Sequence, residues 1–256
     1  MILDKFSLAG KVAIVTGSDT GLGQGFSKAF VEAGAKVFGV SNMPSTATQE
    51  MLGEEKFQFI QADLSTLEPI DTIIKTCLEK FGRIDILVNN AGVIKREDTI
   101  DFSVESWDLV MNVNLRTLFF LSQAVAKQFM KQPREEGKSR GKIISVASML
   151  SYQGGIRVPS YTASKSGVKG ITMTMANEWA AEGININCIA PGYMATNNTK
   201  ALRADADRSE AILDRIPAGR WGTPDDIMGA AVFLASEASN YVNGFTLAVD
   251  GGWLGR

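Results

Sequence analysis

The sequence contains no histidine among its 256 residues and has only two cysteines, Cys77 and Cys188. The absence of histidine excludes Ser-His-Asp and Cys-His hydrolysis, and it excludes every zinc site that contains histidine. Two isolated cysteines cannot build a metal cluster or a disulfide framework, so we expect two buried free thiols and no bound metal. Any proton transfer must therefore use tyrosine, lysine, aspartate, glutamate or cysteine.

The chain also lacks an excess of charge of either sign. It has 26 lysines and arginines against 28 aspartates and glutamates, a net charge of −2. Proteins that bind nucleic acid usually carry a basic excess, so we expect no nucleic-acid partner. The first ten residues have no apolar core of signal-peptide length, and the longest uncharged run, residues 183–199, contains Pro191. We therefore expect no membrane span and a cytoplasmic location.

Short runs rich in valine and isoleucine alternate with longer segments of helical spacing, which is the pattern of βαβ units around a parallel sheet. The predicted strands are residues 11–16, 36–40, 57–61, 84–89, 142–147, 184–190 and 245–249. The predicted helices are residues 22–33, 66–81, 104–130, 159–181, 207–215 and 224–235. The pattern predicts an α/β fold with one domain over residues 1–256, a Rossmann-like doubly wound three-layer sandwich with a parallel sheet of about seven strands.

Two stretches between these elements are predicted to be irregular. Residues 132–142 are dense in charge and turn-forming residues and are expected to form a solvated loop. Residues 191 to about 206 form a second connection, and connections of that length in compact domains usually have a function. We expect a substrate lid at about residues 191–215.

The first predicted strand leads into a glycine-rich turn, TGSDTGLG at residues 16–23, and then into a helix. Glycines at such a junction allow a tight turn and bring backbone N–H groups and the helix N-terminus close to a pyrophosphate. The spacing lacks the lysine and hydroxyl pair of a phosphate-binding P-loop. The predicted dinucleotide contacts in this turn are Gly17, Ser18, Asp19, Gly21, Leu22 and Gly23.

Three further segments follow later strands, where a dinucleotide would lie along the carboxyl edge of the sheet. Each of them alone could be ordinary turn chemistry, because turns use the same residue types. Their common position next to the glycine-rich turn favours cofactor binding. The residues concerned are Asp63, Leu64, Asn90, Ala91, Gly92, Pro191 and Gly192.

The end of the second strand normally distinguishes NAD from NADP, because an acid there binds the ribose hydroxyls and an arginine binds the 2′-phosphate. This chain has Ser41 and Asn42 at that place, with Asp19 in the glycine-rich turn. No lysine or arginine stands near residue 41 in the sequence, so a dianionic phosphate would have no partner. The sequence therefore favours NAD.

Tyr161 and Lys165 stand four residues apart on a predicted helix that Pro159 opens, so the phenol and the ammonium share one face. The same spacing also occurs on solvated helix faces. Ser148, just after the fifth strand, and Asn114, in the helix after the fourth, favour a catalytic interpretation. A free tyrosine has a pKa of about 10, so we expect the Lys165 ammonium, together with an oxidised nicotinamide, to lower it.

TGxxxGxG at residues 16–23, NNAG at 89–92, Ser148, YxxxK at 161–165 and PG at 191–192 together resemble the short-chain dehydrogenase/reductase family over essentially the full chain. The resemblance implies hydride transfer between a nicotinamide dinucleotide and a secondary alcohol or ketone, in a homotetramer. It implies Tyr161 as general acid/base, Ser148 as donor to the carbonyl oxygen, Lys165 on the nicotinamide ribose and Asn114 as holder of a relay water. It also implies Met194 and Thr196 as cofactor contacts.

Wider segments, including NNAGVIKRED and YQGGIRVPSYTASKSG, resemble the sugar-acid dehydrogenases of this family, which implies a small sugar-acid substrate. Arg157, just before a helix N-terminus, could hold the substrate carboxylate or could form a surface salt bridge. Weaker substrate candidates are Arg96, Gln153, Tyr193 and Asn197. The alternatives are a gluconate dehydrogenase, a reductase of 3-oxoacyl groups on a carrier protein, and a non-catalytic dinucleotide-binding sensor.

Overall fold

The computed structural model describes residues 1–133 and 137–256. Its centre is one parallel sheet with the strand order β3-β2-β1-β4-β5-β6-β7. The strands are β1 (Val12–Thr16), β2 (Lys36–Ser41), β3 (Phe57–Gln61), β4 (Ile86–Asn89), β5 (Gly141–Val146), β6 (Ile184–Pro191) and β7 (Thr246–Val249). The strand order reverses between β1 and β4, and this reversal opens a crevice at the carboxyl ends of the strands.

Helices cover both faces of the sheet, which confirms the predicted Rossmann-like three-layer fold. The helices are α1 (Gly21–Glu32), α2 (Thr46–Leu52), α3 (Ile70–Phe81), α4 (Val104–Met111), α5 (Leu118–Lys131), α6 (Leu150–Gln153), α7 (Pro159–Trp179), α8 (Lys200–Ala204), α9 (Ala206–Leu213) and α10 (Pro224–Ala235). Helices α1 and α10 pack on one face, and α3, α5 and α7 pack on the other. Successive strand residues alternate between the two apolar cores, as both faces of a buried sheet require.

The helix boundaries differ from the sequence prediction where local chemistry intervenes. The predicted helix 66–81 begins only at Ile70, because Pro69 disfavours helical backbone in the residue before it. The predicted helix 104–130 is divided by a π-helical segment, Asn112–Thr117. The predicted irregular stretch 191–206 instead contains α8, and the predicted helix 207–215 begins one residue early as α9.

Both cysteines are buried free thiols, as predicted. The predicted loop 132–142 ends where β5 begins at Gly141, and its residues 134–136 lie outside the described part of the chain. One stretch, Val104–Lys131, is long and apolar enough to cross a membrane by length and composition. Core helices of soluble proteins pass the same test, and Leu121, Val125 and Phe129 of this stretch are buried against the sheet.

Candidate active site

A cleft of about 510 Å³ lies along the carboxyl edge of the sheet. Every residue predicted to bind the cofactor lines it except Ser18 and Gly23, which lie beneath its surface. Ser148, Tyr161 and Lys165 line the same cleft, so the structure brings the proposed acid/base group and the predicted cofactor residues together.

The floor of the cleft is the glycine-rich turn between β1 and α1. Gly17 and Gly21 have φ angles of +67° and +58°, which side chains rarely tolerate. At Gly23 an added Cβ would lie 1.9 Å from the Gly17 carbonyl oxygen. The turn therefore accepts only glycine at these positions, and it leaves backbone N–H groups at the start of α1 facing the cleft.

The motif after β4 holds this turn in place. Asn90 donates its side-chain amide to the carbonyl oxygens of Thr16, at 2.9 Å, and Gly17, at 3.2 Å. The Thr16 hydroxyl in turn accepts the backbone N–H groups of Asn90, at 3.0 Å, and Ala91, at 2.9 Å. Because these bonds use the neighbouring polar groups, the helix N-terminus stays available, and the turn fits the pyrophosphate of a dinucleotide. Thr16 is a positioning residue that sequence reasoning did not single out.

At the other end of the turn, the Ser41 hydroxyl donates to the Asp19 carboxylate at 2.6 Å. Asp63 also lines this part of the cleft, and the Ser65 backbone N–H and hydroxyl lower the pKa of its carboxyl by donating to it. Of the described residues that line the cleft, the charged ones are Asp19, Asp63 and Lys165. The end of the cleft that is formed by β2 and β3 is therefore negative.

Tyr161 and Lys165 project from the first turns of α7, which has Pro159 in its first turn as predicted. The Lys165 Nζ lies 5.7 Å from the centre of the Tyr161 ring and donates to the Val146 carbonyl oxygen at 2.6 Å. The Ser148 hydroxyl is hydrogen-bonded to Tyr161 and accepts the Leu150 backbone N–H at 3.1 Å. Since Ser148 accepts from the backbone, its own proton can be donated into the cleft.

Burial is the largest influence on the pKa values of Tyr161 and Lys165. It raises the pKa of Tyr161, while the hydrogen bond from Ser148 and the positive charge of Arg96 act in the opposite direction. Burial also lowers the pKa of Lys165 to about 8. In the chain without dinucleotide the desolvation of the phenolate outweighs the neighbouring charges, and a lowering of the Tyr161 pKa by Lys165 together with an oxidised nicotinamide stays a prediction. At neutral pH Tyr161 therefore carries its proton.

Asn114 lies in the π-helical segment and is fully buried behind the cleft. Its side-chain oxygen accepts the Val93 N–H at 2.8 Å, and its amide donates to the Val93 carbonyl at 3.0 Å and to the Ser164 hydroxyl at 3.1 Å. Asn114 thus joins the loop after β4 to α7. Short π-helical segments are frequent at functional sites. The bonds of Asn114 depend on residues far away in the chain, and sequence periodicity did not reveal the π turn.

The substrate candidates are in different surroundings. Asn197 lines the cleft, and Arg96 donates to the carbonyl oxygen of its neighbour Asn198 at 3.3 Å. The positive charge of Arg96 acts to lower the pKa of Tyr161, but Arg96 itself is not among the described residues that line the cleft. Arg157 is not among the described residues that line the cleft, and its Nε lies 2.8 Å from a carboxylate oxygen of Asp98. The salt-bridge interpretation of Arg157 is the one that the structure shows.

Gln153 and Tyr193 belong to an aromatic cluster beside the cleft. Gln153 accepts the indole N–H of Trp253 at 2.8 Å. The Tyr193 ring packs edge-on against Trp253 and Trp221, with centroids 4.9 and 5.4 Å apart. Neither residue is among the described residues that line the cleft. The cluster packs α9 and the last residues of the chain onto the loop after β5.

The parallel sheet, the glycine-only turn at the start of α1 and the Ser148, Tyr161 and Lys165 group at the same edge define a dinucleotide-dependent oxidoreductase. The chain belongs to the short-chain dehydrogenase/reductase family. Residues 17–254 match the family model described as enoyl-(acyl carrier protein) reductase.

Three similar proteins carry more particular names. The chain is 58% identical over 258 residues to 2-dehydro-3-deoxy-D-gluconate 5-dehydrogenase from Dickeya dadantii, covering 100% of both chains. A solved structure from Agrobacterium tumefaciens, of a proposed 2-deoxy-D-gluconate 3-dehydrogenase with bound NADP, is 50% identical with a TM-score of 0.88, covering 99% of this chain and 100% of that one. A gluconate 5-dehydrogenase from Burkholderia cenocepacia in complex with NADP and tartrate is 36% identical with a TM-score of 0.91, covering 100% of both.

Proposed function

We propose that this protein interconverts 2-dehydro-3-deoxy-D-gluconate and its 5-keto form, with NAD(H) as the hydride carrier. The observation that carries the proposal is the hydrogen bond from Arg96 to Asn198, a residue that lines the same cleft as Tyr161 and Ser148. A cation next to an alcohol-activating phenol suits a small hydroxy acid. The 58% identity with a protein named for this reaction supports the same substrate.

Tyr161 and Ser148 carry the proton chemistry. Ser148 donates a hydrogen bond to the substrate oxygen, and Tyr161 gives a proton to that oxygen during reduction or takes it during oxidation. When bound, the dinucleotide supplies or accepts the hydride. Because burial raises the Tyr161 pKa, the phenol carries its proton at neutral pH, and the proton is present for donation during reduction. Oxidation needs further positive charge beside the phenol, or a higher pH.

Lys165 and Asn114 support this pair in different ways. The Lys165 ammonium donates to the Val146 carbonyl oxygen, and because both residues line the cleft, the ammonium can also donate to ribose hydroxyls. The Asn114 amide is committed to Val93 and Ser164, so its side chain fixes the loop after β4 relative to α7. Any relay water near Asn114 would therefore be held through backbone groups.

Arg96 is the proposed partner of the substrate carboxylate. Its present bond, to the Asn198 carbonyl oxygen, is long at 3.3 Å and involves a neutral acceptor. A carboxylate is a stronger acceptor for a guanidinium, and the pair is frequently bidentate. Asn197 lines the same end of the cleft and can hydrogen-bond a sugar hydroxyl. Together these residues would discriminate a sugar acid from a neutral sugar.

The preference for NAD rests on the charges near the second strand. The carboxylates of Asp19 and Asp63 line that end, and Asp19 accepts the Ser41 hydroxyl. A 2′-phosphate placed there would meet negative charge, whereas ribose hydroxyls would find acceptors. The two solved relatives named above hold NADP. We propose that this chain favours NAD because of the charges of its own cleft.

A panel of substrates and cofactors tests the proposal. Absorbance of reduced nicotinamide is followed with 2-dehydro-3-deoxy-D-gluconate, gluconate and an acetoacetyl thioester, each with the NAD and the NADP couple. We expect the highest kcat/KM for the deoxy sugar acid with NAD. A higher kcat/KM for gluconate would show that gluconate, and not the deoxy sugar acid, is the substrate. Turnover of the thioester alone would refute the sugar-acid assignment, and turnover of none of the three would favour a non-catalytic sensor.

We also propose a cytoplasmic homotetramer. Helices α4, α5 and α7 leave large apolar side chains exposed on the single chain, among them Trp107, Phe120 and Met173. Large apolar side chains that a single chain leaves exposed would be covered at interfaces between subunits. Light scattering coupled to size exclusion measures the assembly, with a mass near four chains as the expected result and a monomer as the contradicting one.

A further inference from the structure

Two loops that flank the substrate end of the cleft are joined by a clasp between Asp98 and Arg157. The Arg157 Nε and an Asp98 carboxylate oxygen are 2.8 Å apart. The Arg157 carbonyl oxygen also accepts the backbone N–H of Glu97 at 3.2 Å. We call this ion pair and this hydrogen bond the clasp. It links the loop after β4, which carries Arg96, to the loop that leads into α7, which carries Tyr161.

The backbone of Arg157 supports a dedicated role for this link. Arg157 has a φ of +62° and is the one residue other than glycine with a positive φ in the described part of the chain. Left-handed backbone is uncommon for a residue with a long side chain and persists where surrounding contacts hold it. Its contacts with Glu97 and Asp98 join this loop to the neighbouring one.

The neighbouring residue Glu97 anchors the same loop to α4. Its carboxylate accepts the Ser103 backbone N–H at 2.8 Å and the Ser106 hydroxyl. These bonds lower the pKa of the Glu97 carboxyl, so it stays charged at neutral pH. Three consecutive residues of this loop therefore each have a partner in a different segment. Arg96 contacts the turn at residues 197–199, Glu97 contacts the start of α4, and Asp98 contacts the loop before α7. Arg96 is the one whose partner is a neutral carbonyl that a carboxylate can replace.

We propose that Arg157 is a positioning residue, which acts through Asp98 to hold Arg96 against Asn198 at the cleft, and that its own guanidinium does not bind the substrate. This inference builds on the proposed function, because it assumes that Arg96 holds a carboxylate. The clasp sets the separation of the carboxylate-binding group from the phenol. It thereby contributes to the selection of acids whose carboxylate and reacting carbon match that separation.

The variant Asp98→Asn separates the two possible roles of Arg157, because the two roles predict opposite changes in the KM for the acid. If Arg157 positions the loop, removal of the Asp98 charge loosens Arg96 and raises KM for the acid. If Arg157 itself binds the substrate, the same variant releases its guanidinium from competition and lowers KM. We expect the KM for the acid to rise about two- to five-fold, which corresponds to the energy of an exposed ion pair. The kcat and the KM for the dinucleotide are expected to change little.

Replacements of Arg157 test the same role from the other side. Arg157→Lys keeps the positive charge and is expected to remain within about two-fold of the wild-type KM. Arg157→Asn tolerates left-handed backbone but lacks the charge, so it is expected to match Asp98→Asn. Because both changes break one interaction, the double variant is expected to be no worse than either single variant. The control is Glu79→Gln, which removes a carboxylate from the exposed Lys75–Glu79 pair on α3.

Amide hydrogen exchange tests the clasp without any substrate. In Asp98→Asn, peptides that cover residues 93–103 and 154–158 are expected to exchange faster than in the wild type, and those of Glu79→Gln are not. Unchanged exchange in both peptides would overturn the clasp itself. Faster exchange with an unchanged or lower KM would overturn the positioning role. If the wild type turns over gluconate instead, the proposed substrate fails, and the KM comparison is made with gluconate.

Discussion

Replacement of Lys165 by methionine is expected to remove most of the activity without lowering the stability of the folded protein. Lys165 is 3% exposed, and burial lowers its pKa from the ordinary 10.5 to about 8. At about 1.36 kcal/mol per pKa unit, the buried ammonium costs the folded protein about 3 kcal/mol at pH 7 relative to the unfolded chain. Methionine fills a similar volume and carries no charge.

The replacement also has a cost. It removes the 2.6 Å hydrogen bond from Nζ to the Val146 carbonyl oxygen. A buried carbonyl that loses its partner costs about 1 to 3 kcal/mol. The variant is therefore expected to be between equally stable and about 2 kcal/mol more stable at pH 7. For a domain of this size, about 1 kcal/mol corresponds to a change in Tm of roughly 2 to 4 °C.

The pH dependence gives the sharper test, because its sign is fixed by the direction of the pKa change. Below pH 8 the ammonium is present in the folded and the unfolded state, and the full cost applies. Between pH 8 and 10.5 the folded protein loses this proton before the unfolded chain does, so the wild type gains stability relative to the variant. The gain is expected to reach about 2 kcal/mol between pH 7.5 and 9.5.

The assay is urea unfolding of both proteins at pH 7.5, 8.5 and 9.5, without dinucleotide. Lys127→Met, at an exposed position on α5, serves as the control and is expected to show no change with pH relative to the wild type. A stability difference between the wild type and Lys165→Met that stays constant over this range would refute the buried ammonium. A loss of several kcal/mol at pH 7.5 would show that the Val146 bond outweighs the desolvation of the charge.

Four further outcomes are expected. Tyr161→Phe should lower kcat by about 10²- to 10⁴-fold, as measured by steady-state absorbance, because it removes the proton donor. Gly23→Ala should abolish dinucleotide binding in a fluorescence titration, since its Cβ would lie 1.9 Å from the Gly17 carbonyl oxygen. Arg96→Met should raise KM for the sugar acid by about 10- to 100-fold, the size of a charge-assisted hydrogen bond, with Arg96→Lys as the milder control. Ser41→Arg should shift the ratio of kcat/KM values toward NADP, and an unchanged ratio would contradict the charge argument.

The strands and most residues that line the cleft could be predicted because their causes are local. Buried parallel strands are short, nearly continuous apolar runs, so each predicted strand lies within about two residues of the observed one. The turn at residues 16–23 needs glycine at Gly17, Gly21 and Gly23 for steric reasons, so the spacing of the glycines in the sequence already indicates the turn. Because parallel strands bring their carboxyl ends to one edge, the later segments could also be assigned to the same cleft.

The features that escaped prediction depend on contacts between distant parts of the chain. The π turn at Asn112–Thr117 accompanies the bonds of Asn114 to Val93 and Ser164, 21 and 50 residues away. Arg157 stands near Tyr161 in sequence, but its partner Asp98 comes from another loop. The pKa of Tyr161 depends on burial, which no spacing reveals. The start of α9 at Ala206, one residue before the predicted start, could have been read from the sequence, because Asp205 accepts the Arg208 N–H as an N-terminal cap.

The most direct test of the account compares the wild type with Tyr161→Phe on 2-dehydro-3-deoxy-D-gluconate, with dinucleotide affinity measured in parallel. The account predicts that the wild type transfers hydride between NAD(H) and this sugar acid, and that the variant binds the dinucleotide with little change but turns over at least about 100-fold more slowly. A wild type without activity on the sugar acid, or a variant that retains full turnover, would contradict the assignment of this cleft.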